Sequence, residues 1–127
     1  MKLTNREILD FLNLELVNKK LPVRLAYAVA LNIETFRPVV NAYSKSRMDL
    51  VNRYAKKDET GNPATKDGHY VFDDIIGWNK AIDELLDVEV DVKVLTVKES
   101  DLDKCDDPLF DRLSVNEIIA MGFMIEK

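Results

Sequence analysis

The sequence predicts an α+β fold, mainly α, in which a long antiparallel helical hairpin of coiled-coil type carries a small β-sheet and a short C-terminal helix. Three patterns predict this class. Apolar residues recur in heptad spacing over residues 26–54, a shorter stretch at 73–87 has the same spacing, and four valines alternate with charged residues from Val88 to Val94. Heptad helices need an apolar partner, and strict alternation is typical of a half-buried strand.

The first predicted helix covers residues 5–18. Thr4 and Glu7 have the spacing of a capping box, in which a hydroxyl and a carboxylate satisfy free backbone N–H groups at a helix start. Apolar residues at helical spacing follow as far as Leu16. The two lysines after this segment lie where the helix dipole favours cations. The pattern therefore predicts one amphipathic helix.

A much longer helix is predicted over residues 22–57, bent at Pro38. Nine residues hold one heptad phase through it, and Pro22 suits the first helical position. Pro38 falls opposite this apolar seam, where its ring and its missing N–H face water. Because the heptad phase continues on both sides of Pro38, one bent helix is expected rather than two. The alternative is a break at Arg37, because a residue before proline resists the helical region. The seam comprises Ala26, Val29, Ile33, Phe36, Val40, Tyr43, Arg47, Leu50 and Tyr54.

A third helix is predicted over residues 73–87, antiparallel to the long one, with Asp73 or Asp74 as its N-cap. It is too short to cover the whole seam, so the first helix or a second copy of the chain is expected to cover the remainder. Arg47 in the seam is expected either to pair with a carboxylate of the facing helix or to extend into water. The heptad residues of the third helix are Ile75, Trp78, Ile82 and Leu85.

Residues 58–72 are predicted to form an exposed loop at the tip of the helical hairpin. The loop is rich in turn formers, and Asp67-Gly68 has the sequence of a two-residue β-hairpin turn. The loop is longer than the turn requires, and exposed loops on rigid scaffolds often carry binding contacts. We therefore expect a protein-binding surface formed by Asp58, Glu59, Asn62, Lys66, Asp67 and His69.

The alternating valines predict a strand over residues 88–97, in which the register shifts at Leu95. A lone strand leaves its backbone groups unpaired, so this strand needs a partner. Residues 122–127 are the best candidate for that strand. Residues 69–72 are another candidate, and a second chain is the third.

The C-terminal part is predicted to contain a polar connection followed by a short helix over residues 115–121. The connection, residues 99–113, is predicted to include a short helical turn. Ser114 and Glu117 form a second capping box at the start of the helix, and Gly122 suits its C-cap.

The composition predicts a cytoplasmic single domain comprising residues 1–127. A chain of 127 residues buries a core without a disulfide or metal, and its single cysteine indicates a reducing compartment. The formal net charge of -5 argues against a nucleic-acid backbone as partner, since phosphate binding rests on clustered cations. No apolar run approaches the ~20 residues of a membrane span, and no signal-peptide core follows the first residues, so no membrane association is expected.

The sequence contains no catalytic, cofactor-binding or metal-binding signature, so we expect a protein that is not an enzyme and uses no cofactor. His69, the single histidine, lacks the spaced partners of a metal site. Cys105 lies among acidic residues, which raise a thiol pKa and disfavour a nucleophile. The carboxylates between Asp83 and Asp91 could pair around a metal, but their arrangement is more typical of a solvated face.

A resemblance to a known group of proteins covers most of the chain. It rests on the segments MKLTNREILDFLN, LPVRLAYAVALNIE, LVNRYAKKDETGNP, LLDVEVDVKV and LSVNEIIAMGFMIEK, in this order. These segments resemble a family of small proteins encoded by phages and prophages of Gram-positive bacteria, grouped as a domain of unknown function. Tyr27, Phe36, Pro38 and Tyr43 depart from the more charged character of that group. The resemblance implies a phage-related origin, in the cytoplasm of the bacterial host, and no particular activity.

These observations predict a non-enzymatic phage protein that binds another protein, in particle assembly or as an accessory factor. The alternative is an inhibitor of a host defence protein, of the anti-CRISPR kind, since small acidic phage proteins can take that role. The expected partner is a protein of phage or host origin. We also expect a homodimer, because the seam exceeds its internal partner and the strand needs a neighbour.

Overall fold

The computed structural model describes residues 1–126 and confirms an α+β fold that is mainly α. Within these residues it has five α helices and three separate two-stranded sheets, where the sequence predicts one small sheet. The helices are α1 (Asn5–Asn13), α2 (Val23–Tyr54), α3 (Ile75–Leu86), α4 (Glu99–Asp103) and α5 (Val115–Ala120). The strands are β1 (Lys2–Thr4), β2 (Thr65–Lys66), β3 (His69–Tyr70), β4 (Glu89–Asp91), β5 (Val97–Lys98) and β6 (Ile125–Glu126).

Helix α2 runs from Val23 to Tyr54 with Pro38 inside it, so the chain does not break at Arg37. Pro38 is exposed, which places its ring and its missing N–H toward water. The predicted bounds of 22–57 are too wide. Pro22 is the N-cap, with extended rather than helical backbone, and the helix ends where Ala55 forms a β-bridge with Phe72.

The core lies against one face of the N-terminal half of α2. Three phenylalanine rings meet there, from α1, from α2 and from the segment after α5. The ring centroids of Phe11 and Phe36 lie 5.8 Å apart, and Phe123 lies 5.2 Å from Phe11 and 5.8 Å from Phe36. The two pairs formed by Phe11 are edge-to-face, and pairs of this kind stabilise a core beyond the apolar area they bury. The buried residues of α2 are Leu25, Ala28, Val29, Asn32, Phe36 and Val51, so the predicted seam is only partly buried.

The first helix is shorter than predicted, and the prediction of residues 5–18 is wrong beyond Asn13. The capping box is present: the Glu7 N–H donates to Thr4 Oγ1, and the Thr4 N–H donates to Glu7 Oε1, each at 3.1 Å. After α1 the backbone turns at Glu15, which has a left-handed φ of 53°, and a 3-10 turn follows over Leu16–Asn18. This reversal directs Leu16 into the core, where it is buried.

The predicted strand over residues 88–97 is wrong as a continuous element. Strand β4 covers only Glu89–Asp91, and it pairs antiparallel with β1 at the other end of the chain. Strand β5 is separate and pairs in parallel with β6. The intervening residues are held by a side chain instead: Asn32 Nδ2 donates to the Leu95 carbonyl at 3.0 Å, and the Leu95 N–H donates to Asn32 Oδ1 at 2.9 Å.

The predicted partners of the strand are confirmed only in part. Residues 122–127 contribute β6, and its Ile125 pairs with Val97, the last residue of the predicted strand. Strand β6 does not pair with β4, and Lys127 lies outside the described residues. Strand β3, within the predicted 69–72, pairs with β2. Because β4 has its partner β1 in the same chain, it needs no strand from a second chain.

The C-terminal helix begins as predicted and ends differently. Ser114 is the N-cap of α5 and forms the capping box with Glu117. Met121, with a right-handed backbone, is the C-cap, so the prediction of Gly122 in that role is wrong. Gly122 begins a 3-10 turn, Gly122–Met124, which places Met124 beside Met121 in the core.

Candidate protein-binding site

The C-terminal half of α2 and helix α3 form a two-helix arm, defined here as residues 40–54 and 75–86. The two helices run antiparallel. Gly77 near the start of α3 lies beside Tyr54 at the end of α2, Trp78 lies beside Arg47, and Leu85 shares a groove with Tyr43. The arm therefore holds the segment that joins its helices, residues 55–72, at its end. We call this segment the tip.

The tip is folded rather than an irregular loop. Strands β2 and β3 form a hairpin in which Asp67 and Gly68 both have positive φ, 53° and 80°, as a two-residue hairpin turn requires. The hairpin is joined to the segment after α2, because the Lys56 N–H donates to the Val71 carbonyl at 2.7 Å and the Ala64 N–H donates to the Lys56 carbonyl at 2.7 Å. The prediction of a loop over 58–72 is corrected accordingly.

Asp58 fixes the shape of the turn that precedes the hairpin. Its Oδ1 accepts hydrogen bonds from the Thr60 N–H at 2.9 Å, the Thr60 hydroxyl at 2.6 Å and the Asn62 N–H at 3.0 Å. The hydrogen bond from the Thr60 hydroxyl is the main cause that holds the pKa of the Asp58 carboxyl below its ordinary value. Desolvation raises this pKa, and the backbone N–H groups lower it further. The carboxylate therefore acts as a structural acceptor.

The six predicted binding residues are all exposed and fall into two groups. Asp58 and Asn62 are brought together, since the Asp58 N–H also donates to the Asn62 carbonyl at 2.8 Å, and Glu59 follows Asp58 in the same turn. Lys66 and His69 lie opposite each other in the β2–β3 register, with Asp67 in the turn between them. The two groups present both signs of charge on one preorganised tip.

An aromatic cluster that the sequence analysis did not identify fixes the tip to the arm. The rings of Phe72 and Trp78 stack with centroids 4.3 Å apart, and Tyr70 lies 6.5 Å from Phe72. The Arg47 guanidinium lies 5.9 Å from the centre of the Trp78 ring, a cation–π arrangement. Within residues 1–126 Arg47 forms no salt bridge, so the predicted pairing with a carboxylate is wrong. Its side chain is exposed, as the second alternative predicts, and it contacts Trp78 as well. Tyr70 and Phe72 are two residues apart, a spacing that places two side chains on one face of a strand, and this spacing could have indicated the cluster.

The other residues considered for chemistry do not converge on one another. Cys105 is buried, and burial, followed by the charge of Asp106, raises its pKa. In the acidic run, Asp83 and Asp87 both pair with Arg6, at 3.6 and 3.4 Å. Within residues 1–126 no three histidine, cysteine or carboxylate side chains are grouped so that they could hold a metal ion. None of the helices in this part of the chain has the length and apolar character of a membrane span.

Comparison with known proteins finds no matching family model, no matching curated protein and no matching solved structure. The candidate site therefore rests on the geometry of this chain.

Acidification is expected to loosen the tip only below the ordinary pKa of an aspartate. Because the folded-state pKa of Asp58 is lowered, its contribution to the order of the tip is present above the unfolded value of about 3.9 and is lost as the pH falls through the folded value. NMR titration of the Thr60 and Asn62 amides should show a midpoint below about 3.9. The midpoint should disappear in Asp58→Asn and persist in the neighbouring control Glu59→Gln. Titration of Asp58 at or above that value would contradict the role given to it.

Proposed function

We propose that this chain is a non-enzymatic, phage-encoded accessory or assembly factor that binds another protein through its tip. The observation that supports the proposal is the preorganised turn at Asp58, whose carboxylate accepts three hydrogen bonds while the side chains around it stay exposed. A surface that is already ordered loses little conformational entropy when it binds.

The arm supports the proposal by placing the tip on regular elements. Helix α2 contains 32 residues and is therefore about 48 Å long. One face of its N-terminal half packs in the core. The stacked Phe72 and Trp78 rings connect the tip to α3. A contact surface held on helices in this way is positioned more accurately than one on a free loop.

The charges of the tip indicate the class of partner. Asp58, Glu59 and Asp67 are anionic, whereas Lys56, Lys57 and Lys66 are cationic, and Lys66 lies opposite His69. A surface of mixed sign suits a protein with complementary charges, because such pairs set register and exclude wrong partners. It suits a phosphate backbone poorly, since that contact needs clustered cations.

Residues 1–39 and 87–126 are called the body. The proposal is tested by comparing how much partner is captured by a variant of the tip and by a variant of the body. Tagged wild-type protein and the tip variant Lys66→Ala/His69→Ala are expressed in phage-infected bacterial cells, and captured proteins are quantified by mass spectrometry. We expect one protein captured by the wild type to be depleted by at least roughly tenfold in the tip variant, since contacts at an interface centre dominate affinity.

The matched control is Lys93→Ala/Asn116→Ala, which removes two exposed polar side chains from the body and should capture the partner as the wild type does. Equal capture by the tip variant and the wild type would overturn the proposal. A captured phage structural protein would support a role in assembly. A captured host nuclease or defence protein would instead support the inhibitor alternative through the same tip.

A further inference from the structure

Helix α3 is apolar, yet it remains on the surface. Seven of its twelve residues are isoleucine, leucine, tryptophan or alanine. All twelve are described by the structure, and none of them is buried. Ile76, the most exposed of the seven, has 79% of its surface accessible. An apolar helix packed on one side only leaves surface that a folded protein ordinarily covers.

The arm cannot cover this surface by itself, because it is a single layer of two helices. The C-terminal half of α2 contributes further exposed or half-buried apolar residues, among them Met48 and Leu50. At the base of the arm a groove of about 380 Å³ opens between the helices. Its apolar lining includes Val39, Ala42, Tyr43, Leu85 and Val88.

The two helices of the arm carry net charges of opposite sign, and the residues that flank them enlarge the difference. Residues 40–54 contain three cations and one anion, a net charge of +2, and residues 75–86 contain two anions and one cation, a net charge of -1. With the flanking residues the charges are larger. Residues 41–57 contain five cations and one anion, a net charge of +4, and residues 73–87 contain five anions and one cation, a net charge of -4. Within residues 1–126 none of the five cations, Lys45, Arg47, Arg53, Lys56 and Lys57, forms a salt bridge. The anions Asp73, Asp74 and Glu84 likewise form none there.

We infer that a second copy of this chain covers the arm, with α2 of each copy packed against α3 of the other. In this four-helix arrangement cationic and anionic helices alternate, so each helix has a neighbour of opposite charge on both sides. The contact is reciprocal, as a twofold-symmetric homodimer requires, and the apolar flanks of both arms are buried together. The interface lies on the helices of the arm and draws on the tip only through the charges of Lys56 and Lys57. It therefore leaves the six predicted binding residues of the tip free and goes beyond the proposed function.

The first test measures mass in solution. Light scattering on the purified chain at tens of micromolar should give twice the chain mass of 14.6 kDa. Ile76→Asp should raise the dissociation constant of the dimer at least roughly tenfold, because it buries an unpaired carboxylate in the interface. Val23→Asp is the matched control: Val23 is 84% exposed, lies in the first turn of α2 on the body, and should leave the dimer unchanged.

The second test separates charge pairing from apolar contact. Lys45→Glu/Arg53→Glu brings the net charge of residues 41–57 from +4 to 0, and Asp73→Lys/Glu84→Lys brings that of residues 73–87 from -4 to 0. Each variant alone should shift toward monomer at low ionic strength, where charge pairing is least screened. An equimolar mixture should recover dimers that contain one copy of each variant, observed by native mass spectrometry. At one of the two contacts +4 again faces -4, and at the other the introduced glutamates face the introduced lysines.

Circular dichroism of each variant is the control that shows whether it is folded. For folded variants, each outcome supports or overturns the inference. A monomeric wild type, or an Ile76→Asp variant that dimerises like the wild type, overturns the inference. Charge variants that each remain dimeric, or that do not prefer mixed dimers, overturn the alternating arrangement. A monomeric wild type that still captures its partner through the tip would overturn the dimer and leave the proposed function standing.

Discussion

Replacing Phe36 with alanine is expected to lower the free energy of unfolding by about 3–5 kcal/mol. Phe36 is 0% exposed, and its ring centroid lies 5.8 Å from those of both Phe11 and Phe123. Truncation removes apolar contacts and leaves a cavity among rings that are held by three different parts of the chain, so neighbouring side chains cannot close it fully. Urea denaturation followed by circular dichroism measures the loss.

Two further variants make this prediction specific. Phe36→Leu keeps most of the buried volume and should cost clearly less than Phe36→Ala. Tyr27→Ala removes an aromatic side chain from the same helix at a position that is 62% exposed, and it should change stability by no more than about 0.5 kcal/mol. If Phe36→Ala cost no more than Tyr27→Ala, the three-ring cluster would not be the centre of the core.

The helices could be predicted because their signals are local. Thr4, Asp74 and Ser114 each accept a hydrogen bond from the backbone of the helix that they precede, and each lies close to its helix in sequence. The apolar spacing of α2 continued past Pro38 because the proline lies on the exposed side. The hairpin turn at Asp67-Gly68 is similarly encoded by two adjacent residues that tolerate positive φ.

The ends of the elements and the pairing of the strands could not be predicted, since they depend on distant residues. Strand β4 finds its partner in β1, which has only three residues and no alternating pattern that would indicate a strand. The left-handed backbone at Glu15 accompanies the burial of Leu16 and has no signal of its own in the sequence. The heptad seam also described the buried face of α2 incompletely, because Leu25, Ala28 and Asn32 are buried and lie outside the predicted seam.

The candidate site could be predicted in composition but not in geometry. Exposure of the six tip residues follows from the turn formers around them. The hydrogen bonds of Asp58, and the register that places Lys66 opposite His69, depend on which turn the backbone adopts. The contact of Arg47 with Trp78 joins residues from two helices, and the sequence indicated only that Arg47 was unusual in a seam.

Replacing Asn32 with alanine is expected to cost roughly 2–4 kcal/mol of stability, since each partly buried backbone group left unpaired costs about 1–3 kcal/mol. Asn32 is fully buried, and its amide takes the place of a neighbouring strand for Leu95 by pairing with both the N–H and the carbonyl of that residue. Without the amide both groups lose their partner, and the segment between β4 and β5 loses its attachment to α2. Thermal unfolding measures the overall loss of stability.

Hydrogen exchange separates this local effect from a general loss of packing. In Asn32→Ala the amide of Leu95 should exchange faster than expected from the fall in global stability, because opening of this segment no longer breaks a hydrogen bond. Asn41→Ala, at an exposed asparagine of the same helix, should change neither stability nor the exchange of Leu95. Asn32→Leu keeps the volume and removes both hydrogen bonds, so a leucine variant as stable as the wild type would show that packing alone holds the segment. The amide of Asn32 would then not be what attaches the segment between β4 and β5 to α2.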